Sequence, residues 1–198
     1  TNNFIIDARF SAENEHGAYS QYGYRRDLIQ KNLTKSCSLY GYKDHYVVAE
    51  VNNAILSDVA HCDFEFQTGM ASINGWLIDP NGGWNTLNSF NGIWSYDLFQ
   101  QSPITKNDLD IAKEYVLSCW SNSVNGIGLI LSGATFVLQG ETINGWTYYE
   151  YKIAGVNSVS ITGNALIDEI RLYPQSSQMK SFSYSEVNGL MSIIDENN

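Results

Sequence analysis

Residues 165–174 read ALIDEIRLYP, a strand whose alternation sets Leu166, Asp168, Ile170 and Leu172 on one face and Ile167, Glu169, Arg171 and Tyr173 on the other. One carboxylate is thereby aligned with the aliphatics. A buried, unpaired carboxylate costs enough that the fold must give Asp168 a partner: backbone N–H groups, a cation, or a place at the strand's wet end. The choice among these three decides how the chain is read.

Working outward, the same kind of run recurs: YVVAEV (46–51), WSYDL (94–98), YVLSCW (115–120), GLILS (128–132), TFVL (135–138), WTYYEYKI (146–153) and SVSIT (158–162). Asn-Gly, Ser-Gly and Ala-Gly turns separate them, and prolines number only three. Short strands at this spacing predict an antiparallel all-β sandwich or barrel rather than a βαβ fold. Helical spacing is confined to a turn or two near 108–113 and to 27–35, both too short to form a helix unaided. The repeated NGW at 74–76 and 144–146 has no companions at a fixed period, so it is shared turn chemistry.

A chain of 198 residues with 43% hydrophobic content can bury a sizeable core in one large or two small domains. Its formal charge of −10, with Arg25-Arg26 as the longest basic run, excludes a phosphate backbone or an anionic membrane surface as partner. No apolar stretch approaches the roughly 20 residues of a membrane span, and TNNFIIDARF lacks the basic start and apolar run of a signal peptide. Cys37, Cys62 and Cys119 lie far apart, and an odd count leaves at least one thiol free. Residues 11–25 are polar and aromatic without period, which predicts a loop or arm that needs another surface. After Pro174, QSSQ is linker-like, and the residues that follow alternate around Asn188-Gly189 as a hairpin. A lone hairpin is marginal, so its strand partners are expected beyond Asn198.

That hairpin, FSYSEVNGLMSIIDENN, resembles the start of an RHS or YD repeat, with Tyr184, Gly189, Leu190 and Asp195 matching and Ser185 standing where the repeat has Asp. LYGYKDHYVVAEVNNA (39–54) and the segment from Trp146 to Met179 look like the stretches preceding such repeats in large bacterial surface or secreted proteins. Between them, HCDFEF (61–66), SFNGIWSYDL (89–98), DLDIAKEYVLSCWS (108–121) and LIDEIRLYP resemble the successive strands of carbohydrate-binding-module-like jelly rolls. The resemblance implies a galactose-binding-like jelly-roll sandwich over 60–174, N-terminal strands and an arm over 1–59, and a truncated repeat start over 175–198. It also implies an extracellular or cell-surface location, a non-catalytic role, and a structural Ca²⁺ held between Glu65 and Asp168. The residues agree in part: Phe64 and Phe66 share one strand face and leave Glu65 on the other. Capping of a turn by Asp168 is the competing assignment.

Sugar sites present aromatic rings to the apolar face of a pyranose. In WTYYEYKI, a core-facing Ile153 brings Tyr149 and Tyr151 with it and leaves Trp146 and Tyr148 as an outer pair beside Glu150 and Lys152. Trp84, on the glycine loop DPNGGWN (79–85), is the third candidate, while Trp76 and Trp94 follow Asn-Gly-type turns and are expected to begin strands packed inward. A glycosidase needs two facing carboxyls, yet neighbouring Asp168 and Glu169 diverge on a regular strand. His61-Cys62-Asp63 diverge likewise, and no hydrolase or phosphate-loop motif occurs. The expectation is a glycan-binding or surface-recognition module of a larger repeat protein. A capping or spacer domain packed against the rest of that parent chain is second, with the outer aromatics covered by it, and an unrecognised hydrolase is third.

Overall fold

The computed structural model describes residues 14–15, 17–30, 34–65, 69–99, 101–123, 128–185 and 189–195, so Phe66 and Asn188 of the sequence reading fall outside it. Four strands come first: β1 (Asn14–Glu15), β2 (Asp27–Gln30), β3 (Lys35–Gly41) and β4 (Tyr46–Asn52). A 3₁₀ turn at Leu56–Asp58 leads to β5 (Ala60–Cys62), β6 (Ser72–Ile73), β7 (Trp76–Leu77), β8 (Trp84–Asn85), β9 (Ser95–Asp97) and β10 (Ile104–Lys106). The long strands follow: β11 (Glu114–Ser121), β12 (Leu129–Ser132), β13 (Ala134–Ile143), β14 (Trp146–Ala154), β15 (Val159–Gly163) and β16 (Leu166–Pro174). A last hairpin comprises β17 (Gln178–Ser185) and β18 (Gly189–Ile194).

The strands form three antiparallel sheets. One runs β13-β14-β11-β16-β9-β8, with β5 also paired to β16, and a second runs β12-β15-β10-β7-β6. These two share a single apolar core, the arrangement of a β-sandwich. Leu117, Cys119, Tyr149, Ile153, Ile170 and Leu172 from the first meet Trp76, Ile104, Val159 and Ile161 from the second. Period-2 patterning explains the match, since Tyr149, Tyr151 and Ile153 all enter that core while Trp146 and Tyr148 take the opposite face. The NGW segments are both two-residue turns with positive φ at Asn and Gly, which pair Ile73 with Trp76 and Ile143 with Trp146. Trp76 begins β7 and is fully buried, and Trp94 precedes β9 and packs on the core.

The third sheet, β1-β2-β3-β4-β17-β18, joins both ends of the chain. Here the hairpin finds its partner inside the chain, because β17 pairs with β4 from Gln178–Asn52 to Ser181–Ala49. Serines interrupt the apolar pattern of β3 and hide it in the sequence, although Cys37 and Leu39 alternate inward onto Val51 and Met179. All three thiols are free and buried, and burial pushes those of Cys37 and Cys119 up to about 12. Among the described residues no helix is long and apolar enough to cross a membrane.

Candidate functional site

The alternation in 165–174 is broken, and that break builds the site. Trp120 pairs with Asp168 and Ser118 with Arg171, so Glu169 and Ile170 on β16 together oppose Cys119 alone: a β-bulge. Glu169 takes the bulge conformation at φ 49°. Ile167 then shares the core with Ile170 and Leu172, while Leu166 faces the other way onto Trp120, Trp146 and Tyr148. Asp168 therefore lies on Leu166's face and not with the core aliphatics, contrary to simple alternation. The bulge also removes the expected divergence of the two acids, because Asp168 accepts from the Asn91 N–H and Glu169 from the Asn91 Nδ2.

Asp168 is fully buried and is satisfied by main-chain donors. Its Oδ2 accepts the N–H of Phe90 at 3.0 Å and of Asn91 at 3.1 Å, and its Oδ1 accepts the N–H of Glu169 at 2.8 Å. Glu65 takes the other end of the same loop, its Oε1 accepting Ile93 N–H and Trp94 N–H at 2.7 Å each. The loop SFNGIW (89–94) is thus clipped down by one carboxylate at each end. Glycine is required at 92, where φ is 66° and a β-carbon would overlap Glu65 Oε1. Both expected ligand residues meet at this loop, but their donor set does not suit a calcium ion. Ca²⁺ wants six to eight oxygens, whereas three of the four carboxylate oxygens here already receive N–H dipoles and only Glu65 Oε2 is unengaged. Nor do three or more His, Cys, Asp or Glu residues form a metal-holding group among the described residues.

Glu169 is the node that joins the third sheet to the sandwich. Its Oε1 accepts from Ser183 Oγ (2.8 Å) and Asn91 Nδ2 (3.0 Å), and its Oε2 from His61 Nε2 (3.2 Å) and Ser181 Oγ (3.4 Å). Asn91 also reaches Ser192 Oγ on β18. Burial pushes the Glu169 carboxyl up, but the bond and charge of His61 and the bonds from Ser183 and Asn91 outweigh it and hold the group below its ordinary value. Asp63, which accepts from Tyr42 Oη and the Glu65 N–H, and Asp168 are displaced the opposite way, first by burial and next by the charge of Glu169. His61, Asp63, Glu65, Asp168 and Glu169 are each at most 1% exposed, so no substrate reaches them. Cys62 meanwhile points into the apolar core, so the His61-Cys62-Asp63 run is no triad.

The three aromatic candidates occupy two places. Trp146 and Tyr148 are buried with Trp120 on the outer face of the sandwich, and Phe90 from the clipped loop stacks on Trp120 at 3.8 Å between centroids. Trp146 Nε1 donates to Asn88 Oδ1, which fastens the loop's approach. Trp84 is half-buried elsewhere, edge-on to Phe64 and Tyr96. No family model and no curated protein matches the chain.

Exposed aromatics gather instead on the third sheet. Leu39 and Val51 face inward, so Ser38, Tyr40 and Glu50 face out, and Tyr184 does so because Ser183 points to Glu169. Tyr24, 45% exposed, stacks on Tyr40 with centroids 5.5 Å apart, and Tyr46, 49% exposed, stacks on Tyr184 at 4.7 Å. Ser20 sets Tyr24 in place, since its Oγ accepts the N–H groups of Tyr22 and Tyr24. Residues 17–25 are the arm that looked unanchored in sequence. Only a tertiary register reveals this face, because its tyrosines come from the arm, β3, β4 and β17.

Proposed function

We propose that this chain is a non-catalytic recognition module that binds glycans on the tyrosine-lined outer face of its third sheet, carried by a jelly-roll sandwich at the surface of a larger secreted RHS or YD-repeat protein. The observation that carries the reading is the pair of stacked tyrosine couples, Tyr24–Tyr40 and Tyr46–Tyr184, each with one half-exposed ring, Tyr24 and Tyr46. Flat rings of this kind match the C–H face of a sugar, and Arg25 of the arm beside Tyr40, with Glu50 and Lys180 paired across the sheet, supply donors and acceptors for its hydroxyls. Site residues move accordingly from Trp84, Trp146 and Tyr148, which pack internally, to the tyrosines.

A glycan array probed with the wild type and with Tyr24→Ala and Tyr46→Ala tests this. Loss of about tenfold in affinity in each variant, with unchanged melting temperature, is expected. A blank array, or binding indifferent to both substitutions, overturns it. The burial of Trp146 and Tyr148 under the 89–94 loop favours the second reading, a spacer domain, and a blank array would select it.

A further inference from the structure

One sizeable cavity, with a volume of about 900 Å³, lies between the third sheet and the sandwich, bounded by the 41–44 turn, the 3₁₀ turn and the hairpin of β6 and β7. That is the size of a small-molecule pocket. Leu39, Ile55, Val59 and Ile73 give it apolar walls. In a chain of net charge −10, it nevertheless gathers three cations, Arg26, Lys43 and Lys106, against two acids, Asp27 and Asp44.

Both acids are already engaged. Asp44 Oδ1 pairs with Arg26 Nη2 at 2.8 Å, and Asp27 Oδ1 accepts the Leu56 N–H. Lys106 is the exceptional residue, for the alternation of β10 places it beside Ile104 on the core face, where it is only 8% exposed. Asp58 and Asp108 act on it through space, but among the described residues no side-chain hydrogen bond reaches its ammonium, and Asp58 is bonded to Lys113. Arg26 Nε is a buried donor with no partner. A nine-tenths buried lysine is costly to hold without an acceptor. Lys106 is among the residues that line the cavity.

We infer that this cavity binds a small organic carboxylate with an apolar body, its carboxylate taken by Lys106 and Arg26 and its body lying against Leu39, Val59 and Ile73. The apolar walls discriminate against a bare inorganic anion, and the unpaired donors against a neutral hydrocarbon.

The three methionines make an internal test. Met70 lines the cavity, whereas Met179 is buried in the third sheet's core and Met191 is exposed on β18. Phenylacetate titrated into protein carrying ¹³C-methyl methionine should move the Met70 resonance and leave the other two in place. Affinity should fall by about tenfold or more for phenylacetamide, for inorganic phosphate, and for phenylacetate with Lys106→Met, and should be largely kept in Lys106→Arg. If Lys106→Met does not fold, Arg26→Gln serves as the weakened variant. No Met70 shift at about 10 mM phenylacetate, or equal binding by the amide or by phosphate, overturns the assignment.

Discussion

We expect Asp168→Ala to lower the free energy of unfolding by about 3 kcal/mol and to release the 89–94 loop. The substitution removes few apolar contacts, so cavity formation is a minor part of the loss. Its main effect is to strand the N–H groups of Phe90, Asn91 and Glu169, which have Asp168 as acceptor. Each unsatisfied buried donor costs about 1–3 kcal/mol, and the loop escapes part of that cost by opening to water. Opening lifts Phe90 from Trp120 and exposes Trp146 and Tyr148, so tryptophan emission should shift to the red and the amides of Phe90 and Asn91 should exchange faster with solvent. Because main-chain donors fill the place that the resemblance assigns to Ca²⁺, neither calcium nor EDTA should change the melting temperature of the wild type or the size of the loss. Thermal and urea denaturation with and without 2 mM Ca²⁺, about two-thousandfold over a micromolar site, check this. A calcium-dependent rise in the wild type that Asp168→Ala abolishes would replace the amides with an ion.

The strand pattern was legible because most strands here are half-buried, and period-2 alternation reports that directly. WTYYEYKI sorted correctly into core and outer faces, as did the two NGW turns, whose conformation is local. The position of Asp168 was not legible, because one inserted residue reverses every face beyond it and ALIDEIRLYP carries no glycine to mark the bulge. Only the cost of placing an acid among aliphatics hinted at a fault in the register. Similar signals pass unnoticed where strands are short: Ile104-Thr105-Lys106 puts a lysine on the core face, but three residues establish no period. Covering of Trp146 and Tyr148 depends on a loop more than fifty residues upstream, and the tyrosine face on strands from both ends of the chain. Such long-range pairing has no local signature.

Glu169→Gln should cost about 3 kcal/mol at pH 7, at the low end for breaking a buried charge pair. Glutamine keeps the volume but turns one acceptor oxygen into a donor, which must then face either Ser183 and Asn91 or His61 and Ser181, all placed to donate. The wild-type left-handed backbone at 169, worth about 1–2 kcal/mol of strain, is then no longer offset by four bonds to its side chain. The pH dependence separates this role from packing. Since the folded state holds Glu169 below its ordinary value, its contribution is present above the ordinary carboxyl pKa of about 4 and is lost as pH falls through the lowered one. The penalty of Glu169→Gln should therefore shrink toward zero in strong acid. Asp63 has the opposite sign, for a raised carboxyl favours the fold below its ordinary value and loses that benefit as pH rises through the raised one. Asp63→Asn keeps an oxygen for the Glu65 N–H and offers an N–H to Tyr42 Oη, so it should stabilise the protein by about 1 kcal/mol at pH 8 and by nothing near pH 3. Denaturation of both variants across pH 3–8 gives two curves that diverge from the wild type in opposite directions as pH rises. Parallel curves for either would mean that its carboxyl titrates alike in the folded and unfolded states, and for Glu169 that the bonds from His61, Ser183 and Asn91 do not favour the charged form.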